Sequence, residues 1–156
     1  MIDDAKFKLA MAQFVSGVTV VTTENDGELV GLTVASFASL SLNPPLVIVC
    51  VEKNVRSHDL IADSGRFGVS ILASDQADLS NRFASKLEDK FAGVPVRTGV
   101  LGIPLLEGAI CTIECHLREA LPGGDHSIFV GEVVDVQTAE GAPLGYFRSA
   151  YRELAS

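Results

Sequence analysis

The sequence predicts a mainly β fold: one small antiparallel barrel over residues 1–156, with a few short helices at its periphery. Three observations lead there. About seven runs rich in β-branched and aromatic residues are separated by Gly, Pro, Asn and Asp, the punctuation of barrel strands. The two longest runs, 109–121 and 126–136, are neighbours across Pro122-Gly123-Gly124-Asp125, which favours an antiparallel pair. Hydrophobic residues make up 47% and charged residues 21%, enough to build a core. Alternation of strand and helix between residues 46 and 86 is the competing signal, for an α/β sheet.

In chain order, Asp3 or Asp4 caps a first helix whose apolar face is Phe7, Met11 and Phe14. Val15 to Thr23 is β-branched and reads as a strand. Glu24-Asn25-Asp26-Gly27-Glu28 turns it back into Leu29 to Val34, with Gly27 free to take a positive φ. Leu46 to Val51 is apolar on both faces, the mark of an interior strand or a subunit contact. Ser57 is placed to cap a short helix, His58 to Asp63, which Ser64-Gly65 ends. Phe67 to Leu72 alternates as a strand. Ser74 or Asp75 caps a helix from Gln76 to Lys86, with Leu79 and Phe83 on one face. Phe91 to Leu106, with three glycines and two prolines, reads as a long irregular segment. Ala109 to Leu121 puts Cys111, Ile113, Cys115 and Leu117 on one face and Thr112, Glu114, His116 and Arg118 on the other. His126 to Val136 pairs back, and Leu144 to Leu154 closes the chain.

Charge and motifs exclude several functions. The net charge of −8 argues against a nucleic-acid partner. No apolar run approaches the ~18 residues of a membrane span, and the acidic start is unlike a signal peptide, so the expected location is cytoplasmic. Cys111 and Cys115 would lie about 13 Å apart on one strand at ~3.3 Å per residue, too far for a disulfide. Cys115 and His116 point to opposite faces, so no metal site is expected. GxGxxG, GxxxxGK, CxxC, HExxH and GxSxG are all missing.

The most informative stretch is Gly31 to Val51. Thr33, Ser36, Ser39 and Ser41 set hydroxyls among small residues, and Asn43-Pro44-Pro45 then turns the chain into the apolar run. Such a segment suits a flat polar ligand lying on a sheet; it equally suits a Ser/Thr-rich edge strand. Lys53-Asn54-Val55-Arg56-Ser57 offers cations, an amide and a hydroxyl at a helix start, which favours an anion. Asp59 competes for that positive end, and an ordinary capped helix is the other reading. Arg82 is a further cation to watch. His126, after Gly-Gly-Asp, is either a turn histidine or a hydrogen-bond donor at a pocket rim.

The chain resembles the flavin reductase-like family, the NAD(P)H-dependent reductases of two-component monooxygenases. The matching pieces are Phe14 to Thr23 (FVSGVTVVTT), Gly31 to Phe37 (GLTVASF), Ser41 to Leu46 (SLNPPL), Phe67 to Leu72 (FGVSIL), Gly124-Asp125-His126, and Tyr146 to Tyr151 (YFRSAY). They fall in family order over nearly the whole chain. The resemblance implies a split β-barrel, a homodimer with flavin near the subunit contact, FMN or FAD as flavin, and NADH or NADPH as hydride donor. It places Thr33, Val34, Ala35 and Ser36 along the isoalloxazine ring, with Ser36 near N5. Ser41 and Pro45 would border the ring or ribityl chain. Cys50, Val51, Asn54 and Ser57 would hold ribityl and phosphate, and Phe83 would close one side. His126 would meet the nicotinamide, with Tyr151 nearby. Asn43, where Asp is expected, and Ala150, where Gly is common, depart from the pattern without removing a contact.

The implied activity is hydride transfer from NAD(P)H to flavin, with Ser36 and His126 as the catalytic pair, and delivery of reduced flavin to a partner oxygenase. This explains the missing motifs, because the cofactors carry the chemistry and the protein orients them. The alternatives are a flavin-binding protein that stores or senses flavin without turnover, and a non-catalytic barrel that pairs with a partner.

Overall fold

The computed structural model describes residues 1–155. Its strands are β1 (Ser16–Gly17), β2 (Thr19–Asn25), β3 (Glu28–Val34), β4 (Phe37–Ser41), β5 (Leu46–Glu52), β6 (Arg66–Ile71), β7 (Val96–Thr98), β8 (Pro104–Leu106), β9 (Cys111–Gly123), β10 (His126–Thr138), β11 (Gly145–Phe147) and β12 (Ala150–Arg152). The helices are α1 (Asp4–Met11), α2 (Arg56–Ser64) and α3 (Ala77–Ala84). Seven strands form one antiparallel sheet in the order β3-β2-β6-β9-β10-β5-β4, which decides against the α/β alternative. A small sheet, β1-β11-β12, and the hairpin β7-β8 complete the molecule.

The sheet curls because its two ends share one core. Val34 of β3 and Val47, Val49 and Val51 of β5 meet Phe67, Ile113, Cys115 and Phe129 in a single cluster, with Phe37 of β4 against it. The curled sheet is left split between β3 and β4, which the two-residue bend Ala35-Ser36 joins. Gly131 makes the curl possible: a Cβ there would lie 2.4 Å from Phe67 Cζ. Ile61 of α2 belongs to this core, and Leu60 of the same helix is also buried. A second cluster, with Val18, Leu72, Phe83, Leu106 and Leu144, lies under α3 and the C-terminal segment.

Several expectations are met. Asp3 caps α1 by accepting from Ala5 N–H. Cys111, Ile113, Cys115 and Leu117 face the core as the alternation requires. Other boundaries move. The strand expected over Val15–Thr23 is broken at Val18, whose carbonyl accepts from Leu72 N–H and ties β1–β2 to the second core. Ser57 is not the cap of α2. The turn closes earlier, with His58 N–H donating to Val55 O, so Val55 is the N-cap and Ser57 sits buried in the first turn. At α3 the cap is Gln76, whose side chain accepts from Ala73 N–H and donates to Glu107 O. Gln76 thus holds the N-cap position by backbone alone, and neither Ser74 nor Asp75 caps the helix as expected.

The segment expected to be irregular contains β7-β8, and Glu114 organises the turn between them. The carboxyl oxygens of Glu114 accept from Val100 N–H at 3.0 Å and Leu101 N–H at 2.8 Å, and the residue is fully covered. A Cβ at Gly99 would lie 2.2 Å from Glu114 Oε1, so the turn reaches the carboxyl only because position 99 has no side chain. The half of the polar face of β9 that carries Thr112 and Glu114 is therefore buried, whereas His116 and Arg118 stay exposed. The face of α1 that reads as apolar is uncovered: Phe7, Met11 and Phe14 are all exposed.

Candidate active site

The bend between β3 and β4 exposes Ala35 and Ser36. Beyond it Phe37 pairs with Val49 and Ala38 with Ile48. The ladder extends one step backwards: Cys50 N–H donates to Ser36 O at 3.1 Å, and the Ser36 hydroxyl donates to Cys50 O at 3.0 Å. The Ser36 proton is thus committed to the backbone, and its oxygen keeps lone pairs for a ligand. By the two-residue pleat, Ser36, Ala38, Ile48, Cys50, Ile128 and His126 share the outer face of β4-β5-β10.

A cavity of about 430 Å³ opens on this face. Ala35, Ser36, Ala38, Ile48 and Cys50 form one side, and Phe14 to Gly17 the other. None of its lining residues is charged. Small residues keep the floor close to the main chain, and a Cβ at Gly17 would meet nothing within 4 Å. A flat, largely apolar ring with polar edges fits this lining.

His126 starts β10 opposite Glu52. Its Nδ1 lies 2.7 Å from Asp125 Oδ1, and its side chain is 41% exposed. A carboxylate only accepts, so Nδ1 carries the proton. The bond holds the Asp125 carboxyl below its usual range. Nε2 makes no hydrogen bond among the described residues. Ser36 and His126 are separated by two strand spacings of ~4.8 Å and two residues of ~3.3 Å, about 12 Å in all.

A second cavity, of about 530 Å³, carries Arg56, Ser57, Lys86 and Lys90 together with the carboxylates Glu28 and Glu88, with Gly31 behind. Arg56 pairs with Glu28 through two nitrogens, which raises the arginine and lowers the carboxyl from their ordinary values. Lys90 Nζ donates to Phe83 O at 3.0 Å and Gly31 O at 3.3 Å, and burial pulls its pKa down. Asp59 does not turn toward the helix start; its Oδ1 lies 3.0 Å from His58 Nδ1.

The residues singled out in the sequence fall into groups. Ala35, Ser36 and Cys50 line the first cavity, and Ser57 the second. Asn54 is exposed in the turn before α2. Thr33 donates to Ser80 O at 2.6 Å, and Tyr151 hydrogen-bonds Ser80 Oγ at 2.7 Å, so Ser80 brings these two together. Tyr151 is thereby tied to α3, and His126 is on β10. Val34 and Val51 are buried in the core and offer a ligand only backbone. Ser41 lies at the far end of β4, about 16 Å from Ser36 at ~3.3 Å per residue, and does not line the cavity. Phe83 is fully buried, edge-on to Phe91 and packed against Gly31, which lines the second cavity. Phe14 to Gly17 and Lys90 had no site role in the sequence reading. The first stretch matches the family pattern without any residue that marks a site, and nothing local marks Lys90.

The flavin reductase like domain matches residues 11–155. The chain belongs to this family. This flavin reductase-like chain is 42% identical over 153 residues to the reductase subunit of a flavin-dependent monooxygenase from Mycobacterium tuberculosis, covering 96% of this chain and 82% of that one. Among solved structures, the flavin reductase PheA2 superposes with a TM-score of 0.92 at 38% identity, covering 99% of this chain and 100% of that one. An NADH:FAD oxidoreductase of Streptomyces globisporus, in complex with NAD and FAD fragments, gives a TM-score of 0.94 at 34% identity, covering 98% and 93%.

Proposed function

We propose that this flavin reductase passes hydride from NADH or NADPH to FMN or FAD held at Ala35 and Ser36, and that the reduced flavin leaves for a separate oxygenase in the cytoplasm. The observation that carries the reading is the uncharged cavity over small residues on the sheet face that also presents His126. When bound, the flavin supplies the redox chemistry by accepting a hydride. The chain's own work is to hold and orient. Ala35 and the main chain of Thr33 and Val34 let a ring lie against β3. With its own proton anchored on Cys50 O, the Ser36 oxygen would accept from N5–H of the flavin once reduced, the oxidised N5 being itself an acceptor. Cys50 and the Val51 backbone guide the chain toward Asn54 and Ser57, where the α2 amides, Lys86 and Lys90 meet phosphate. At His126 the free Nε2 accepts from a carboxamide N–H and sets the nicotinamide ring; no proton shuttling is asked of it. Tyr151, through Ser80, steadies Thr33.

The same reading makes the protein a homodimer. Leu40, Leu42 and Val134 are exposed near the proline turn, where Val133 N–H donates to Pro45 O. A second copy would remove this apolar surface from water. The deciding experiment mixes purified protein with NADH or NADPH and each flavin in turn, and follows nicotinamide absorbance. Rapid, flavin-dependent loss is expected. A protein that binds flavin and leaves both nicotinamides untouched is a storage or sensing protein.

A further inference from the structure

His126 is held from both sides. On one side, Lys53 N–H donates to Asp125 O at 2.9 Å, tying the tip of β9–β10 to the turn that follows β5. On the other, the Ser127 hydroxyl lies 2.8 Å from His58 Nε2, in the first turn of α2. Ser127 is buried, and the His58 side chain is 16% exposed, with its ring 5.1 Å from that of Phe129. Asp59 at Nδ1 fixes the tautomer, because a carboxylate only accepts. Nδ1 carries the proton, and Nε2 accepts from the serine hydroxyl.

Ser, His and Asp in that order invite a hydrolytic reading, but Ser127 is buried on the core side of β10 and lines neither cavity. What the arrangement does is mechanical. It joins residues 125–127 and residues 53–58 into one block. Those segments carry the nicotinamide contact and the phosphate contacts of the function proposed above.

We propose that His58 and Ser127 are a positioning pair: through a buried hydrogen bond between α2 and β10 they fix the backbone that aims His126 at the hydride donor. This rests on the reading of His126 as the nicotinamide contact. The hydrogen bond is short and shielded, so its loss loosens α2 against the strand end beside His126 while the ladders to β5 and β9 remain, and it removes no group that touches substrate.

The test is a kinetic cycle on the full chain at saturating flavin. Ser127→Ala raises the KM for NADH about five-fold, the equivalent of one hydrogen bond of ~1 kcal/mol, and lowers kcat less. Ser127→Thr, which keeps the hydroxyl, restores the parent KM. In a His126→Ala background, Ser127→Ala adds nothing further to KM, because the group it aims is gone. A serine that only stabilised the fold would lower the melting temperature and leave KM and this non-additivity unmoved. If His126→Ala raises KM and Ser127→Ala does not, or if the two effects multiply, the positioning role is overturned alone. If His126→Ala itself leaves KM unchanged, the nicotinamide contact falls, and the pair with it.

Discussion

His126 has one ring nitrogen bound to Asp125 and the other free, a state suited to accepting from an amide. His126→Ala should raise the KM for NADH about ten-fold, or ~1.4 kcal/mol, with a smaller effect on flavin affinity. Titration of flavin fluorescence beside steady-state kinetics measures both; unchanged KM would remove His126 from the site. Cys115 makes a different prediction. Burial, and then the neighbouring Glu114, push its thiol up from 9.0 to about 12. The folded state thus favours the neutral thiol, and the unfolded chain ionises first. The stabilisation is complete below pH 9 and is lost as pH rises toward 12. Cys111, raised by burial, acts in the same direction. Urea midpoints should therefore fall more steeply above pH 9 in the parent than in Cys115→Ala. At this scale the sequence marked Ser36 as a hydroxyl among small residues, and that residue lines the first cavity. Phe83 was not legible, because a phenylalanine on a helix face reads alike whether it meets a ligand or a core.

Among the elements, β7-β8 depends on a side chain from outside it. Glu114→Ala leaves the Val100 and Leu101 amides without their acceptor and should cost ~2–3 kcal/mol, read from urea unfolding. Amide exchange over residues 96–106 should quicken by more than in β9. Unfolding energies and exchange equal to the parent's would show that the turn holds itself. The alternation of β9 was plain in the sequence, but the hairpin over half of its polar face was not. Alternation says which residues share a face and nothing about what covers it. The start of α2 was off by two residues for a related reason. Ser57 has the chemistry of a cap, and the closing of the Val55–His58 turn, set by how β5 ends, overrides that preference.

For the whole molecule, a mainly β, antiparallel architecture was foreshadowed by the long pair β9-β10 and by strand patterning, and the strand order bears it out. The split itself could not be read from periodicity; it arises because Ala35-Ser36 turns the chain from one sheet edge to the other. The exposed Leu42 tests the assembly: Leu42→Asp should shift the sedimentation coefficient from dimer toward monomer, with little change in the melting temperature of the monomer. A parent that already sediments as a monomer would rule the homodimer out. The contact between Gly99 and Glu114 reaches beyond stability. Positions fifteen residues apart in the chain occupy one volume. Any side chain acquired at 99 must push the Glu114 carboxyl off the amides it now holds or be met by a shorter residue at 114, so a change at one site is felt at the other.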